Sequence, residues 1–235
     1  MISGETMAIK TSPPSPKPPA VWDLPLRVFH WMLALSVFAA IGTAKNGVMY
    51  WHEKAGLTIL GLLVFRLIWG VIGGHHARFQ HFMTSPQRAV QYLREAFREK
   101  GERPHQPGHA PTGAYATIAI IAVLSMMVGF GLMANDDVLY EGPLAAYVGA
   151  SFSDTARFWH HNLEKAVFLL IALHLLAIAI YRFRFQVRLI PAMVHGGEDQ
   201  SIPAISKSRQ VLGLILLALL IAASQSLSLL GDRFF

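Results

Sequence analysis

Histidine is the residue type whose placement in this sequence calls for a chemical explanation. Four histidine positions fall in, or at the edge of, long apolar runs. An ionisable side chain in such a segment is costly and usually serves a function. Neutral imidazole is also a common metal ligand. The candidate ligands are His30, His52, His160 and His174, with His161 as the alternate to His160.

The spacing of the histidines in one apolar run predicts two metal sites. His160 and His174 are fourteen residues apart, which in a helix is about 40° short of four full turns and a rise of about 21 Å. The two imidazoles therefore share a face, whereas His161 points roughly 140° away from His174. Two histidines on one face at this separation suit two stacked haems, one near each membrane surface.

The elements that must position these residues are membrane-spanning helices. The chain has 235 residues, 53% hydrophobic and 14% charged, against about 25% charged in soluble proteins. It has no cysteine, which excludes disulfides, iron–sulfur ligation, thiolate zinc sites and c-type haem attachment. Apolar runs long enough to cross a core of about 30 Å are predicted at 26–44, 51–72, 114–134, 159–181 and 210–230.

The distribution of Lys and Arg predicts the orientation. With the N-terminus in the cytoplasm, fourteen of them lie on the cytoplasmic side and five on the external side, as the positive-inside rule requires. This bias also explains the basic pI without nucleic acid as a partner. In this topology His30 and His174 lie at one depth near the cytoplasmic surface. His52 and His160 lie at a second depth near the external surface.

Arg66 is the one further site residue that the spacing selects. It follows His52 by fourteen residues, so it shares the face of His52 at the depth of the cytoplasmic-side cofactor. A buried guanidinium needs an anionic partner. A haem propionate is the favoured partner and an acidic side chain the alternative, although the apolar parts of the predicted helices contain no Asp or Glu.

The chain is expected to divide into four parts. These are a disordered, proline-rich cytoplasmic tail at 1–20, a transmembrane domain at 21–184, a cytoplasmic linker at 185–209 and an additional transmembrane helix at 210–235. Within the domain, 85–100 is predicted to form an amphipathic helix, either on the membrane surface or as a plain connection. The remaining histidines are interpreted as solvated or membrane-surface loop residues, with proton delivery as a minor role for His76: His75, His76, His81, His105, His109 and His195.

Four motifs in this sequence resemble the bacterial cytochrome b561 family, which includes the b-type cytochrome subunits of membrane-bound nickel–iron hydrogenases. They are WDLPLRVFHW, WHEKAGLTILGLLVFRLIWG, HARFQHF and HHNLEKAVFLLIALHLLAI, and the resemblance covers roughly residues 21–184. It implies a four-helix bundle with two b haems, each held by two histidines, that exchanges electrons with quinones and partner redox proteins. By position, the ligands would be His30, His52, His160 and His174. Many members carry an acidic residue at the position of His161.

The expected fold is therefore an all-α membrane protein, with a four-helix transmembrane bundle around two haems and a fifth C-terminal helix. Two histidines on each iron leave no position for a substrate, so the expected role is electron transfer between a quinone pool and a partner such as a hydrogenase or a cytochrome c. The protein would be an electron-transfer subunit of an oxidoreductase, or itself a quinone-linked oxidoreductase, in the bacterial inner membrane. The alternatives are a haem-free metal or proton transporter and a membrane anchor subunit.

Overall fold

A computed structural model describes residues 20–98, 108–136, 140–199, 201, 203 and 205–231. The predicted tail therefore lies almost wholly outside the described residues, as do His105 and the last two residues of the predicted amphipathic helix. The α-helices are α1 Leu24–Lys45, α2 Met49–Ile72, α3 Phe79–Phe82, α4 Pro86–Arg98, α5 Pro111–Met133, α6 Ala150–Arg184, α7 Leu189–His195, α8 Lys207–Gln225 and α9 Ser228–Gly231.

The all-helical membrane architecture is confirmed. In the described part of the chain, five helical segments are long and apolar enough to cross a membrane, namely α1, α2, α5, α6 and the segment Lys207–Leu230. The bounds of α6 differ most from the expectation, because this helix begins at Ala150 rather than near residue 159. A polar stretch can continue a helix beyond the apolar layer, so hydropathy alone marks where the apolar part begins and not where the helix does.

Two helical hairpins form the bundle. α1 packs closely on α2, and α5 packs closely on α6, whereas α6 makes few close backbone approaches to α1 or α2. α2 also packs against α5, and this contact joins the two hairpins. One buried apolar cluster spans both hairpins and includes Val37 of α1, Ile59 of α2, Val128 of α5 and Val167 of α6.

The fifth spanning helix, α8, is fastened to the outer side of α2. At Gly61 the backbones approach so closely that a Cβ would lie 2.7 Å from the Cα of Ile221. The hydroxyl of Ser224 donates to the carbonyl of Leu57 at 2.7 Å, and the Gln225 amide donates to the carbonyl of Lys54 at 3.0 Å. Small residues and interhelical hydrogen bonds are the usual means of helix association in a membrane. α8 is therefore an integral part of this domain.

The buried carboxylate of Asp23 ties three parts of the chain together at one end of the bundle, called here the Asp23 end. It caps α1 by accepting from the backbone N–H of Leu26 at 2.9 Å. It also accepts from Nε1 of Trp69, near the end of α2, at 3.1 Å and from the backbone N–H of Gly74 at 3.0 Å. These donors satisfy a charge that would otherwise be costly to bury.

The segment after α6 returns to the start of α1 at the same end. The backbone N–H of Trp22 donates to the carbonyl of Gly196 at 2.9 Å, and Nη1 of Arg27 donates to the carbonyl of Val194 at 2.5 Å. Asp199 then accepts from Nε2 of His76 at 2.9 Å. Residues 193–199 therefore close the Asp23 end beside α1.

Replacing Asp23 by alanine is expected to destabilise the protein by about 2–4 kcal/mol, because the helix cap is lost and buried donors are left unpaired. The measurement is the thermal midpoint of unfolding in detergent, followed by circular dichroism. Asp154→Ala is the matched control, since that carboxylate is exposed and bonds only Arg157 three residues on in the same helix. Equal midpoints for the two variants would contradict the role given to Asp23.

Asp199 should produce an acid-sensitive contribution to stability. Hydrogen bonds from the Ser201 hydroxyl, His76 and the Ser201 backbone lower the pKa of Asp199 to about 2. A depressed folded-state pKa contributes stability that is complete above the unfolded value of about 3.9 and is lost as the pH falls through the folded value. The thermal midpoint of Asp199→Asn should therefore fall less steeply between about pH 4 and pH 2 than that of the unsubstituted protein. Glu198→Gln replaces the exposed neighbouring carboxylate and is the control. It should leave the fall of the thermal midpoint with pH unchanged.

Candidate functional site

The structure brings His30 of α1 and His174 of α6 together between the two hairpins. Their ring centroids lie 6.3 Å apart, with an interplanar angle of 51°. Nδ1 of His30 is buried and has no hydrogen-bond partner among the described residues. The two residues are therefore paired across the bundle at the Asp23 end, as the sequence predicts.

A second pair lies toward the opposite end of the bundle. The ring centroids of His52 and His160 are 6.0 Å apart. Nδ1 of His52 lies 2.9 Å from the carbonyl oxygen of Ala40, and Nδ1 of His160 lies 2.8 Å from that of Met127. An Nδ1–H that donates to a carbonyl leaves the Nε2 lone pair available to a metal and fixes the ring orientation.

Gly131 of α5 makes the position of His160 possible. A Cβ at this residue would lie 2.8 Å from Cε1 and 2.9 Å from Nδ1 of the His160 ring. The imidazole therefore packs directly on the α5 backbone, close to the Met127 carbonyl that it bonds. The sequence shows the glycine, but only the packing of α5 on α6 shows why a side chain is excluded there.

His161, the alternate to His160, lies on the outer side of α6. It is exposed, and its ring contact is with His160, at 6.1 Å between centroids. The structure thus places His160, and not His161, against His52. This is the arrangement that helical periodicity predicts from the position of His174.

Both pairs have the spacing that one bound metal ion requires. A metal–imidazole bond is about 2 Å long, so two imidazoles on opposite sides of one ion place their centroids roughly 6 Å apart. The observed separations are 6.3 Å and 6.0 Å. Since α6 makes few close backbone approaches to α1 or α2, the histidines of each pair face each other across an interval that side chains, and not backbones, border. The residues present therefore fit a haem iron held by two histidines.

An apolar layer lies midway between the two pairs. Val37 follows His30 by seven residues, Ile59 follows His52 by seven, and Val167 is seven residues from each histidine of α6. Seven residues are about two turns and roughly 10 Å of rise, so these residues share the histidine faces. They belong to one cluster of seven buried side chains, all apolar: Val37, Ile59, Leu63, Ile121, Leu124, Val128 and Val167.

Arg66 is almost completely buried, with 2% of its surface exposed. Its Nη1 donates to the carbonyl of Ala77 at 3.1 Å, and its guanidinium lies 4.5 Å from the ring centroid of Phe79 and 5.8 Å from that of Phe82. Nη2 has no hydrogen-bond partner among the described residues. One donor of a buried cation is thus left free for an anionic group.

Sequence reasoning did not identify the residues that surround Arg66. Phe79 can reach the guanidinium because Gly70, one turn further along α2, has no side chain, and a Cβ there would collide with the Phe79 ring. The available signal was the HARFQHF motif directly after α2. Its aromatic residues fold back beneath the bundle through the turn at His75–Ala77.

The loop histidines form contacts at the Asp23 end. His76 is held by Asp199 with 12% of its side chain exposed, so the interpretation of this residue as solvated is wrong. His109 packs on Trp22 at 4.8 Å and on Phe82 at 4.3 Å. Burial, together with the nearby charge of Arg66, lowers the pKa of His109 to about 3, which keeps its imidazole neutral at physiological pH.

Two other loop histidines stack on each other. The ring centroids of His75 and His81 lie 4.1 Å apart, and burial with the neighbouring imidazoles lowers the pKa of His75. Within the described ranges, no group of three or more His, Asp or Glu residues has the arrangement of a metal site. The histidine pairs between the hairpins therefore remain the candidate functional site.

Comparison with known proteins agrees with this geometry. The profile of the prokaryotic cytochrome b561 family matches residues 21–196. The chain is 22% identical over 209 residues to the probable Ni/Fe-hydrogenase B-type cytochrome subunit of Bradyrhizobium diazoefficiens, an alignment that covers 75% of this chain and 84% of the relative. No solved structure matches the chain.

The matched residues include α1, α2, α5 and α6, and hence every histidine of the two pairs. This coverage favours a haem-binding protein over the haem-free transporter and the anchor that the sequence left open. The chain belongs to the prokaryotic cytochrome b561 family and is a multi-pass membrane b-type cytochrome that functions in electron transfer.

Proposed function

We propose that this protein carries two b haems and passes electrons between the two sides of the bacterial inner membrane. The observation that carries the proposal is the presence of two histidine pairs at two depths, with ring centroids 6.3 Å apart at His30 and His174 and 6.0 Å apart at His52 and His160. Each pair has the spacing of two ligands on one iron, and each draws one imidazole from each hairpin.

The residues of the chain determine what the bound groups can do. A bound haem supplies reversible one-electron transfer. The two imidazoles of each pair would together hold one iron and would leave no position for oxygen or a substrate, so the protein would carry electrons rather than transform a ligand. The bonds from His52 to Ala40 and from His160 to Met127 orient two of the imidazoles for this task.

Arg66 is proposed to bind a propionate of the haem at the Asp23 end. It lies on the face of α2 that carries His52, fourteen residues further along, and its Nη2 has no partner among the described residues. Guanidinium binds carboxylates through a rigid fork of donors. Asp23 lies near enough to interact with Arg66 electrostatically, but within the described residues no acidic side chain is hydrogen-bonded to the guanidinium, which favours the propionate over the alternative.

The proposed electron partners are a quinone pool in the membrane and a redox protein such as a hydrogenase or a cytochrome c. The quinone follows from the membrane location, because quinones are carriers that dissolve in lipid. The hydrogenase follows from the similarity to the Bradyrhizobium subunit. The excess of Lys and Arg at the Asp23 end supports an orientation with this end and the N-terminus in the cytoplasm and the C-terminus in the periplasm.

Single histidine substitutions should remove one haem at a time. His30→Ala or His174→Ala is expected to remove the haem of that pair, and His52→Ala or His160→Ala the other, because one remaining imidazole holds the iron too weakly. The measurement is haem content of the purified protein by pyridine haemochrome, with reduced-minus-oxidised spectra. The unsubstituted protein should contain two b haems per chain.

His161→Ala is the matched control for His160→Ala. It should retain both haems and an unchanged spectrum, since its ring lies on the outer side of α6. Loss of a haem in His161→Ala together with retention in His160→Ala would show that the register of α6 is misassigned. A well-folded preparation without haem would overturn the proposed function as a whole.

Removing the charge of Arg66 should lower the midpoint potential of one haem. A nearby cation stabilises the reduced, less positive haem, so Arg66→Gln is expected to lower that potential by on the order of 50 mV. The measurement is a potentiometric titration of the α band in detergent. Arg66→Lys keeps the charge, so its midpoint potential should stay close to that of the unsubstituted protein. Equal midpoint potentials in Arg66→Gln and the unsubstituted protein would contradict the propionate assignment.

A further inference from the structure

Helix α4 presents an apolar strip that no other element among the described residues covers. Val90 and Leu93 are 50% and 49% exposed on this helix, although α4 packs against α5. A shallow groove along the strip is lined by residues of α4 alone, namely Pro86, Gln87, Val90, Gln91 and Arg94. No other described element therefore lies over this side of the helix.

Hydrogen bonds to two spanning helices fix which side of α4 faces the bundle. The hydroxyl of Tyr92 bonds the hydroxyl of Tyr181, near the end of α6, at 2.7 Å. The hydroxyl of Tyr115 of α5 donates to the carbonyl of Thr84, just before α4, at 2.7 Å. α4 is thus held at the level where these spanning helices leave the apolar core, with Tyr92 turned toward α6.

The remaining faces follow from the helical period of 100° per residue. Measured from Tyr92, Leu93 lies about 100° around the helix and Val90 about 160°. Arg94 and Arg98 follow at about 200° and 240°, directly beside the apolar strip. The helix therefore has a protein-facing side, an apolar side and a basic border between the apolar side and water.

This order of faces is that of a helix lying in a membrane interface. Such helices bury an apolar face about 5–10 Å into the boundary between headgroups and acyl chains, and long basic side chains reach from its edge to the phosphates. The surrounding surface has matching charge. Basic residues at this end include Arg94 and Arg98 on α4, Arg182 and Arg184 at the end of α6, and Arg188 just before α7.

We propose that α4 is a binding surface for anionic phospholipid, with Val90 and Leu93 inserted among the acyl chains and Arg94 and Arg98 bound to the headgroups. The argument rests on the uncovered strip, on the attachment of α4 to the ends of two spanning helices, and on the charge complementarity of the arginines with acidic lipid. It does not depend on the number of haems or on the electron partners.

The first experiment locates the two faces relative to the bilayer. The chain has no cysteine, so Val90→Cys and its neighbour Gln91→Cys can each be labelled at a single site with bimane. The full-length variants are placed in nanodiscs of phosphatidylcholine with about one third phosphatidylglycerol. The label on Val90→Cys should emit at shorter wavelength than the label on Gln91→Cys and should be quenched by brominated lipid. The label on Gln91→Cys should instead be quenched by aqueous iodide.

The second experiment tests the preference for anionic lipid. Quenching of the Val90→Cys label by brominated phosphatidylglycerol is compared with quenching by brominated phosphatidylcholine. The ratio of quenching by phosphatidylglycerol to quenching by phosphatidylcholine should exceed one. It should fall about two- to fivefold when Arg94→Gln and Arg98→Gln are added to the Val90→Cys variant, because each basic residue near the surface attracts acidic lipid. Arg88→Gln, on the side next to Tyr92, is the matched control and should leave the ratio unchanged.

Two outcomes would overturn the proposal. Quenching of the Val90→Cys label by iodide but not by brominated lipid would show that the strip faces water, as expected for a plain connection or a docking face for a soluble protein. Equal quenching by the two brominated lipids, unaffected by the arginine substitutions, would show apolar contact without headgroup recognition. The far-ultraviolet circular dichroism and thermal midpoint of each variant verify that the bundle has retained its fold.

Discussion

The position of the functional site depends on one buried carboxylate. Asp23 accepts from the start of α1, from Trp69 near the end of α2, and from Gly74 in the following turn. Because a buried charge must keep its donors, these bonds fix the register of α1 against α2. His30 then lies two turns above Asp23, and Arg66 lies one turn before Trp69. A single set of hydrogen bonds thus sets the relative height of a candidate ligand and of the nearest buried cation.

The two hairpins have different roles in this arrangement. α1 and α2 are held by Asp23 and by α8, whose close packing at Gly61 and whose bonds from Ser224 and Gln225 fasten it to α2. α5 and α6 form the second half and contribute His160 and His174. Since each histidine pair takes one ring from each half, a metal bound between the rings, as proposed, would stabilise the association of the halves by mass action.

The histidine pairs could be predicted because they follow from local rules. Helical periodicity relates His160 to His174 within one helix, and the thickness of a membrane relates their depths to those of His30 and His52. The same rules select Arg66 and separate His160 from His161. The predicted bounds of α6 were too short at its start, because hydropathy does not record the polar turns that continue a helix.

Features that depend on how distant segments fold back were not predictable. The contact of Phe79 with Arg66 requires the turn after α2 and the absence of a side chain at Gly70. The bond between His76 and Asp199 joins residues 123 apart in sequence. The packing of His160 on Gly131 depends on the distance between two helices. None of these has a periodic signal, so only the three-dimensional structure shows them.

The apolar layer between the histidine pairs has an energetic consequence for electron transfer. Its buried side chains, Val37, Ile59 and Val167 among them, carry no group that can take up a proton. Under the proposed function, an electron that moves from one pair to the other would cross this layer without a proton being taken up by these side chains, and its transfer would be electrogenic. The driving force would then include work against the membrane potential, up to about 2.3 kcal/mol per 100 mV for a complete crossing. The direction and rate of electron flow would thus respond to the energised state of the membrane.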